Sequence, residues 1–289
     1  MDVPHNNAAQ QGPQILLSSP ATLRAKRLQQ QQALLIGAGR VLFFVCLIIA
    51  WQFASGKIAN PLFISSPLAV VKRLGVWIGD GTLWFHTAIT LQETLLGLLY
   101  GSVAGILAGL LMGLLPPLAK ILDPFVIALY SIPKVALAPL FILWFGIGIE
   151  MKVVLAAVTV FFLVFINTLT GVLGVDQNLV NAVILMGGRR RDIVFKVMIP
   201  AATGYILTGL RIAIPYALIG AVIAELVASN RGLGYLINTS ASEFDTAGVF
   251  AALLVLTIIA GILNAIVNLI DRKTSLWKTS MNTNRSILR

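Results

Sequence analysis

The sequence predicts an all-α, polytopic membrane protein with about six transmembrane helices. Of its 289 residues, 58% are hydrophobic and only 11% are charged, and the mean hydropathy is +0.91. Soluble domains usually carry about 25% charged residues, so a chain this apolar needs lipid as its solvent. Its long unbroken apolar runs also exclude a transmembrane barrel, whose strands appear as segments of about ten residues with alternating polarity.

The chain begins with a polar stretch, residues 1–39, which contains a run of four glutamines and a basic group, Arg24, Lys26 and Arg27. Its low complexity predicts a cytoplasmic tail that is disordered or forms a surface helix. The first apolar run, 41–54, follows a tail too long for the n-region of a signal peptide. It is therefore predicted to remain as an uncleaved anchor.

Five further apolar runs complete a predicted transmembrane domain that spans residues 40–271. They are 88–115, 121–144, 151–172, 201–228 and 248–270. Pro116 ends the first of these, and Pro133 and Pro139 interrupt the second, because proline removes a backbone donor and clashes with the preceding turn. Residues 272–289 are predicted to form a basic cytoplasmic tail.

The distribution of basic residues predicts that both termini are cytoplasmic. With six spans both ends lie on one side, and that side carries fourteen Lys and Arg residues against five on the other. Such an excess is the usual signature of the cytoplasmic side. The five residues assigned to the outer side are Lys57, Lys72, Arg73, Lys152 and Arg231. The polar segment 174–200 is then cytoplasmic as well.

Five glycines recur every four residues along the second apolar run: Gly97, Gly101, Gly105, Gly109 and Gly113. On a helix this spacing places them on one face, where they form a smooth groove. Lipid gives no hydrophobic reason for helices to associate, so close backbone approach must supply the attraction. The groove therefore predicts tight helix packing, either within the chain or against a second copy.

The polar segment 174–200 predicts two short helices. An amphipathic piece, 179–186, meets the pair Gly187-Gly188, and a second piece, 189–198, runs to Pro200. A solvated linker between two spans is one interpretation, but a linker needs no apolar face. The segment has such a face, formed by Val180, Ile184, Ile193, Val194 and Val197.

This segment resembles the cytoplasmic coupling loop of binding-protein-dependent ABC importer permeases, whose pattern is E-A-A, three residues, G, nine residues and I-x-L-P. Ala182, Gly187 and Pro200 match that pattern, whereas Asn181 replaces the glutamate and keeps a hydrogen-bonding group without its charge. The residues that the resemblance assigns to coupling with an ATPase are Asn181, Ala182, Val183, Gly187, Gly188, Arg189, Arg190, Arg191, Val197, Ile199 and Pro200.

Three further blocks resemble the nitrate, sulfonate, taurine and bicarbonate branch of these permeases. They are SIPKVALAPLFILWFGIG at 131–148, ILTGLRIA at 206–213, and Glu225 together with RGLGYLI at 231–237. The resemblance implies the fold of a type I ABC importer permease. It also implies three partners: cytoplasmic ABC ATPase subunits, an extracellular or periplasmic solute-binding protein, and a second permease copy, expected to form a homodimer.

The sequence predicts no enzyme chemistry and no cofactor. The chain lacks a G-x-x-x-x-G-K-[ST] phosphate loop, and its two histidines, His5 and His86, lie far apart, so neither a metal site nor a catalytic triad is expected. ATP hydrolysis is expected on a partner chain. The positive charge is attributed to topology in the lipid bilayer and not to nucleic acid. The run 189–191 either pairs with acids of the ATPase or anionic lipid, or simply marks the cytoplasmic side.

Four ionisable residues fall within the predicted spans: Glu93, Lys134, Arg211 and Glu225. Such residues are costly in lipid and point to function. The two cations suit a translocation pathway for an anionic solute, such as a sulfonate, taurine, nitrate, bicarbonate or an aromatic carboxylate. The alternative is an internal salt bridge of Glu93 with Arg211 or Lys134. Glu225, near the outer end of its run, is expected to reach water.

An ion-coupled secondary transporter is the alternative from a different class. It predicts two repeated halves with matching broken helices, and no second segment matches the run that Pro133 and Pro139 interrupt. A channel or a membrane-anchored signalling protein is a third interpretation. Dependence on a separate ATPase chain distinguishes the importer from the secondary transporter.

Overall fold

All regular secondary structure between residues 60 and 275 is helical in the computed structural model, which describes residues 20–58 and 60–275. The chain divides into two units, Met1–Ala59 and Asn60–Arg289. The first contains helix α1, Pro20–Ala54, whose apolar part is long enough to cross a membrane. Residues 20–39, predicted to be disordered or to form a surface helix, are helical and continue the helix of the first span. Residues 1–19 lie outside the described residues.

The second unit is a succession of helices joined by short turns. Its elements are α2 Pro61–Ile64, α3 Pro67–Gly79, α4 Thr82–Leu114, α5 Pro116–Ser131, a 3₁₀ turn Lys134–Leu137, α6 Ala138–Phe145, α7 Ile149–Leu173, α8 Gln177–Leu185, α9 Arg190–Ile193, a π-helical turn Val194–Met198, α10 Ile199–Val227, α11 Leu233–Ser242 and α12 Thr246–Ser275. The part of the predicted C-terminal tail beyond Ser275 lies outside the described residues.

Five helices in the described part of the chain are long and apolar enough to cross a membrane, or six if one bent pair counts as a span. The bent pair is Pro117–Ser131 with Lys134–Phe145, and the chain bends by 85° between these two helices. Pro133 explains the bend, because a proline forces the residue before it out of the helical region. Ile132 accordingly has an extended backbone, with φ −67° and ψ 129°. The predicted span 121–144 is therefore two helices joined by a bend.

The glycine ladder of α4 packs against α7 along its whole length. A methyl group added at Gly105 would lie 2.7 Å from the backbone oxygen of Phe161, and one at Gly113 would lie 2.6 Å from Cβ of Val172. Gly97, Gly101 and Gly109 face α7 in the same way. The packing is thus within the chain, and the alternative of a second copy on this face is wrong because α7 already covers it.

Helix α7 is the centre of the second unit, since α10 packs on its other side. Gly220 of α10 lies against the backbone of Ala156, and the buried Ala213 and Ala217 pack against Val160 and Val164. Small residues on both flanking helices allow this close approach, as is typical of helices in membranes. At one end of this three-helix core, α11 folds back and packs on α12 and α10, and α12 also packs on α3.

Candidate functional site

A polar stripe extends the glycine ladder toward the beginning of α4. His86, Thr90 and Glu93 precede Gly97 at intervals of four, three and four residues, a spacing that places all four on one helix face. His86, Thr90 and Glu93 are buried, with Thr90 fully enclosed. Of these three residues, only Glu93 was predicted from the sequence as a site residue. The helical register shared with the glycines is the signal that links it to His86 and Thr90.

Glu93 forms a buried salt bridge with Lys152 of α7. The distance between Lys152 Nζ and Glu93 Oε1 is 2.9 Å, and both side chains are almost completely buried. The predicted pairing of Glu93 with Arg211 or Lys134 is therefore wrong. Lys152 was assigned to the outer side because it stands at the start of an apolar run. Helix α7 begins three residues earlier, at Ile149, and carries Lys152 into the contact with α4.

Glu225 is completely buried, with 0% of its surface exposed, so the expectation that it reaches water is wrong. Its Oε1 accepts a hydrogen bond of 2.7 Å from Thr90 Oγ1, and its Oε2 accepts one of 2.6 Å from the backbone N–H of Gly234. The segment after α10, which the sequence predicted to be an outer loop, does not extend into solvent. It turns back as α11 and covers the carboxylate.

The first turn of α11 donates its free backbone N–H groups to this cluster. The N–H of Gly232 donates to His86 Nδ1 at 2.9 Å, that of Leu233 donates to Thr90 Oγ1 at 2.8 Å, and that of Gly234 donates to Glu225. The first backbone N–H groups of a helix have no hydrogen-bond partner within the helix, so buried side-chain acceptors must provide that partner here. His86 also stacks on the ring of Tyr235 at 5.7 Å between centroids.

Glycine is required at position 232 for two reasons. Its φ is +103°, a conformation that residues with a Cβ rarely adopt, and a Cβ there would overlap the carboxylate of Glu225. Residues 232–234, part of the block 231–237 that resembles the permease family, form the start of α11. The buried polar cluster, defined here as His86, Thr90, Glu93, Lys152 and Glu225, thus joins α4, α7, α10 and α11.

Lys134 lies apart from this cluster, at the bend between α5 and α6. Its ammonium group donates to the backbone oxygen of Tyr130, and it stands 4.6 Å from the ring centroid of Tyr130 and 4.9 Å from that of Phe162. The residue lines a cavity of about 120 Å³ together with Thr159 and Gly220. Aromatic faces stabilise a cation that has left bulk water.

Arg211 lies apart from both the buried polar cluster and Lys134. It is half-buried on α10, fourteen residues before Glu225, which corresponds to about 21 Å along the helix at 1.5 Å per residue. The four intramembrane charges predicted as pathway residues therefore do not form one site. Glu93 and Glu225 come together through Thr90, whereas Lys134 and Arg211 occupy separate positions.

The segment 174–200 contains two short helices joined by a glycine turn. Gly187 has a φ of +77°, its N–H donates to Ile184 O, and the N–H of Gly188 donates to Val183 O. This pair of bonds is the Schellman arrangement that ends a helix on a left-handed glycine. Beyond it, the N–H of Arg189 donates to Asp192 Oδ2 at 2.9 Å at the start of α9.

The predicted apolar face of this segment is only partly exposed. Val180, Ile193, Val194 and Val197 are half-buried, whereas Ile184 is exposed. The most exposed apolar side chains are at the end of α8, where Leu185 is 87% and Met186 77% exposed. Leu179 at the start of α8 and Phe195 beyond the glycine turn are exposed as well. At the family-pattern positions, Asn181 and Ala182 are also exposed.

Comparison with known proteins places the chain in one family. Residues 101–276 match the family model described as the binding-protein-dependent transport system inner membrane component. The taurine transport system permease protein TauC of Escherichia coli is 34% identical over 255 residues, which cover 86% of this chain and 91% of TauC. The formylaminopyrimidine transport permease protein ThiX of Halalkalibacterium halodurans is 32% identical, over 75% of this chain and 87% of ThiX.

The fold is also that of solved importers. An inward-facing structure of the MetNI methionine ABC transporter superposes with a TM-score of 0.59 at 20% identity, covering 68% of this chain and 96% of that chain. Likeness at this identity supports the fold, and the family match supports the class of protein. The chain therefore belongs to the binding-protein-dependent transport system inner membrane components, the multi-pass permease subunits of ABC importers.

Proposed function

We propose that this permease forms the translocation pathway for a small anionic solute and couples to a separate cytoplasmic ATPase through segment 174–200. The observation that carries the proposal is the exposed apolar tip of α8, formed by Leu185 and Met186. Both lie between two spanning helices, on a segment too polar for the lipid core. Exposed apolar side chains on a short helix are typical anchors for a groove on a partner protein.

The geometry of the segment suits the transmission of movement. The turn at Gly187 and Gly188 is fixed by two backbone hydrogen bonds, and Asp192 is bound by Lys196 at 2.7 Å and by the N–H of Arg189. Helix α9, the π-helical turn and α10 continue as one helical stretch, Arg190–Val227. A displacement of α8 by the ATPase would therefore pass directly into a spanning helix.

The proposed orientation places both termini in the cytoplasm. It requires the bent pair α5–α6 to count as one of six spans. Lys152 is buried in the contact between α7 and α4, so it no longer counts among the five basic residues assigned to the outer side. Four basic residues then remain on that side, against fourteen on the other. The excess of basic residues supports this orientation.

Lys134 supports an anionic solute. Its ammonium group lies at the bend of a broken helix beside a small cavity, where irregular backbone in a membrane protein usually lines a pathway. The relatives are named for taurine, which supports a sulfonate, and for formylaminopyrimidine, which extends the range beyond sulfonates. A sulfonate, taurine, nitrate, bicarbonate or an aromatic carboxylate therefore remains in the proposed class.

The proposed assembly contains two permease copies, a pair of ATPase subunits and a solute-binding protein. A binding protein would dock on the outer segments that contain α2, α3 and α11. A homodimer is the commonest closed arrangement of identical chains and supplies the second half of the pathway.

Affinity purification from native membranes tests the coupling proposal. We expect an ATPase chain to co-purify with the wild-type permease and to be lost from Leu185→Asp, since a charge would enter an apolar contact. Phe63→Asp is the matched control, because Phe63 of α2 is similarly exposed on the proposed outer side. Retention of the ATPase by Leu185→Asp would contradict the proposal, and so would its absence from a well-folded wild type.

A further inference from the structure

An apolar cavity with two arginines at its rim lies where α4 ends. Its volume is about 470 Å³, and its wall includes Leu114, Leu115, Val194 and Met198. Arg190 and Arg191 also line the cavity, and both are exposed. The cavity is thus formed between the end of one spanning helix and the π-helical start of another. Neither of the proposed ATPase anchors, Leu185 and Met186, belongs to it.

The proposed orientation and the lengths of the helices favour a position of this cavity at the cytoplasmic membrane surface. The helical stretch Arg190–Val227 has 38 residues, which corresponds to about 57 Å at 1.5 Å per residue, whereas the hydrocarbon core is about 30 Å thick, so the stretch is long enough to extend beyond the core. Leu114 and Leu115 lie at the end of another long apolar helix, because α4 ends there and α5 begins at Pro116. In the proposed orientation the arginines, at the start of the stretch, would lie at the level of lipid headgroups.

The charge of the two arginines is not balanced by the acid beside them. Asp192 pairs with Lys196 at 2.7 Å and accepts from the N–H of Arg189. The guanidinium of Arg190 donates to the backbone oxygen of Leu114 at 3.4 Å, across the mouth of the cavity. Among the residues that the structure describes, no salt bridge involves Arg190 or Arg191.

We propose that this cavity binds one anionic phospholipid, with an acyl chain against the apolar wall and the phosphate at Arg190 and Arg191. Guanidinium groups bind phosphate oxygens in pairs of charge-assisted hydrogen bonds, and basic pockets between helices on the cytoplasmic side bind anionic headgroups. An acid of the ATPase would satisfy the arginines but would leave the apolar wall uncovered. The lipid matches both parts of the site. This inference rests on the proposed orientation, which puts the cavity on the cytoplasmic side, and it does not depend on the identity of the solute.

Native mass spectrometry of the detergent-purified full chain, titrated with phosphatidylglycerol, tests the proposal. We expect one tightly bound phosphatidylglycerol on the wild type, and an affinity about thirtyfold lower for the double variant Arg190→Gln/Arg191→Gln. Val194→Phe fills the apolar part, leaves every charge in place, and is expected to weaken binding as well. The double variant Lys57→Gln/Lys72→Gln also removes two positive charges, but on the proposed outer side, and is expected to bind like the wild type.

The competing occupants give different results. If glycerol phosphate in excess displaces the signal fully, the site recognises a free phosphate and the lipid proposal is overturned. A wild type that binds phosphatidylethanolamine as tightly as phosphatidylglycerol also overturns it, and leaves the arginines to an ATPase contact. Unchanged affinity in both the arginine variant and Val194→Phe is the third contradicting result.

Discussion

The backbone N–H of Gly234 and the carboxylate of Glu225 form a hydrogen bond of 2.6 Å inside the protein. Glu225 is on the long helix α10, and Gly234 is in the first turn of α11. The same carboxylate accepts from Thr90 of α4, so one buried acid joins three helices. The contact ties α11, which the proposed assembly presents to a solute-binding protein, to the spanning helices α4 and α10.

Removal of the Glu225 carboxylate is expected to destabilise the outer end of the bundle. Glu225→Ala leaves the N–H of Gly234 and the hydroxyl of Thr90 without their acceptor, and an unsatisfied buried polar group costs about 1–3 kcal/mol. Thermal unfolding of the purified permease should show a lower midpoint. Glu243→Ala, an exposed acid at the end of α11, is the control and should unfold like the wild type. Equal midpoints for all three proteins would contradict the account.

Gly232 offers a second test, because Gly81 also has a positive φ but has open space where a Cβ would be added. Gly232→Ala combines a φ of +103° with overlap on Glu225, and is expected to lose about 2 kcal/mol or more. Gly81→Ala has a φ of +82°, but nothing lies within 4 Å of the added methyl group. Both positions have a positive φ, but ψ is 170° at Gly232 and −6° at Gly81, so the difference reports the contact with Glu225 together with the less favourable backbone of Gly232. Limited proteolysis of the outer segment should increase in Gly232→Ala alone, and a similar increase in Gly81→Ala would contradict this reading.

The buried salt bridge predicts that substitutions of Glu93 and Lys152 have strongly non-additive effects on the free energy of unfolding. Lys152→Met leaves Glu93 as an uncompensated buried charge, and breaking such a pair typically costs about 3–5 kcal/mol. The double variant Glu93→Met/Lys152→Met removes both charges and is expected to recover most of the stability. Denaturant unfolding of the four members of this cycle checks the prediction. Additive losses in the double variant would mean that the two residues are not coupled.

The glycine ladder predicts a position-dependent effect of one added methyl group. Gly105→Ala places a Cβ 2.7 Å from the backbone oxygen of Phe161, so α4 and α7 must separate, at a cost of about 1–3 kcal/mol. Gly75→Ala in α3 meets nothing within 4 Å and should stabilise its helix slightly. Thermal midpoints of the two variants should therefore move in opposite directions. A stable Gly105→Ala protein would show that the helices tolerate a wider spacing.

Much of the spanning architecture could be predicted, because lipid allows few arrangements of an apolar chain. The apolar run 151–172 corresponds to α7, Ile149–Leu173, within two residues at each end. The glycine spacing in α4 predicted a groove, although it left the partner helix open. The break at Pro133 followed from its lost donor, but the angle of the bend depends on packing that the local sequence does not contain.

The buried polar cluster could not be derived in the same way. Lys152 and Glu225 both stand near the ends of apolar runs, where local sequence favours exposure. Their burial depends on contacts between residues far apart in the chain, such as Lys152 with Glu93 and Glu225 with Gly234. The exposure of the apolar side chains in segment 174–200 also depends on contacts that the local sequence does not contain. Of the predicted face, Ile184 is exposed, whereas Ile193 and Val194 are half-buried.

The most direct test of the importer account is cross-linking from Met186 to the ATPase in native membranes. Met186→Cys is made in a Cys46→Ser background, which removes the single native cysteine, and is treated with a thiol–amine cross-linker. The account predicts an adduct with an ATPase chain, identified by mass spectrometry, and none from Phe63→Cys on the proposed outer side. Absence of that adduct from Met186→Cys, or an equal yield from Phe63→Cys, would contradict coupling through segment 174–200.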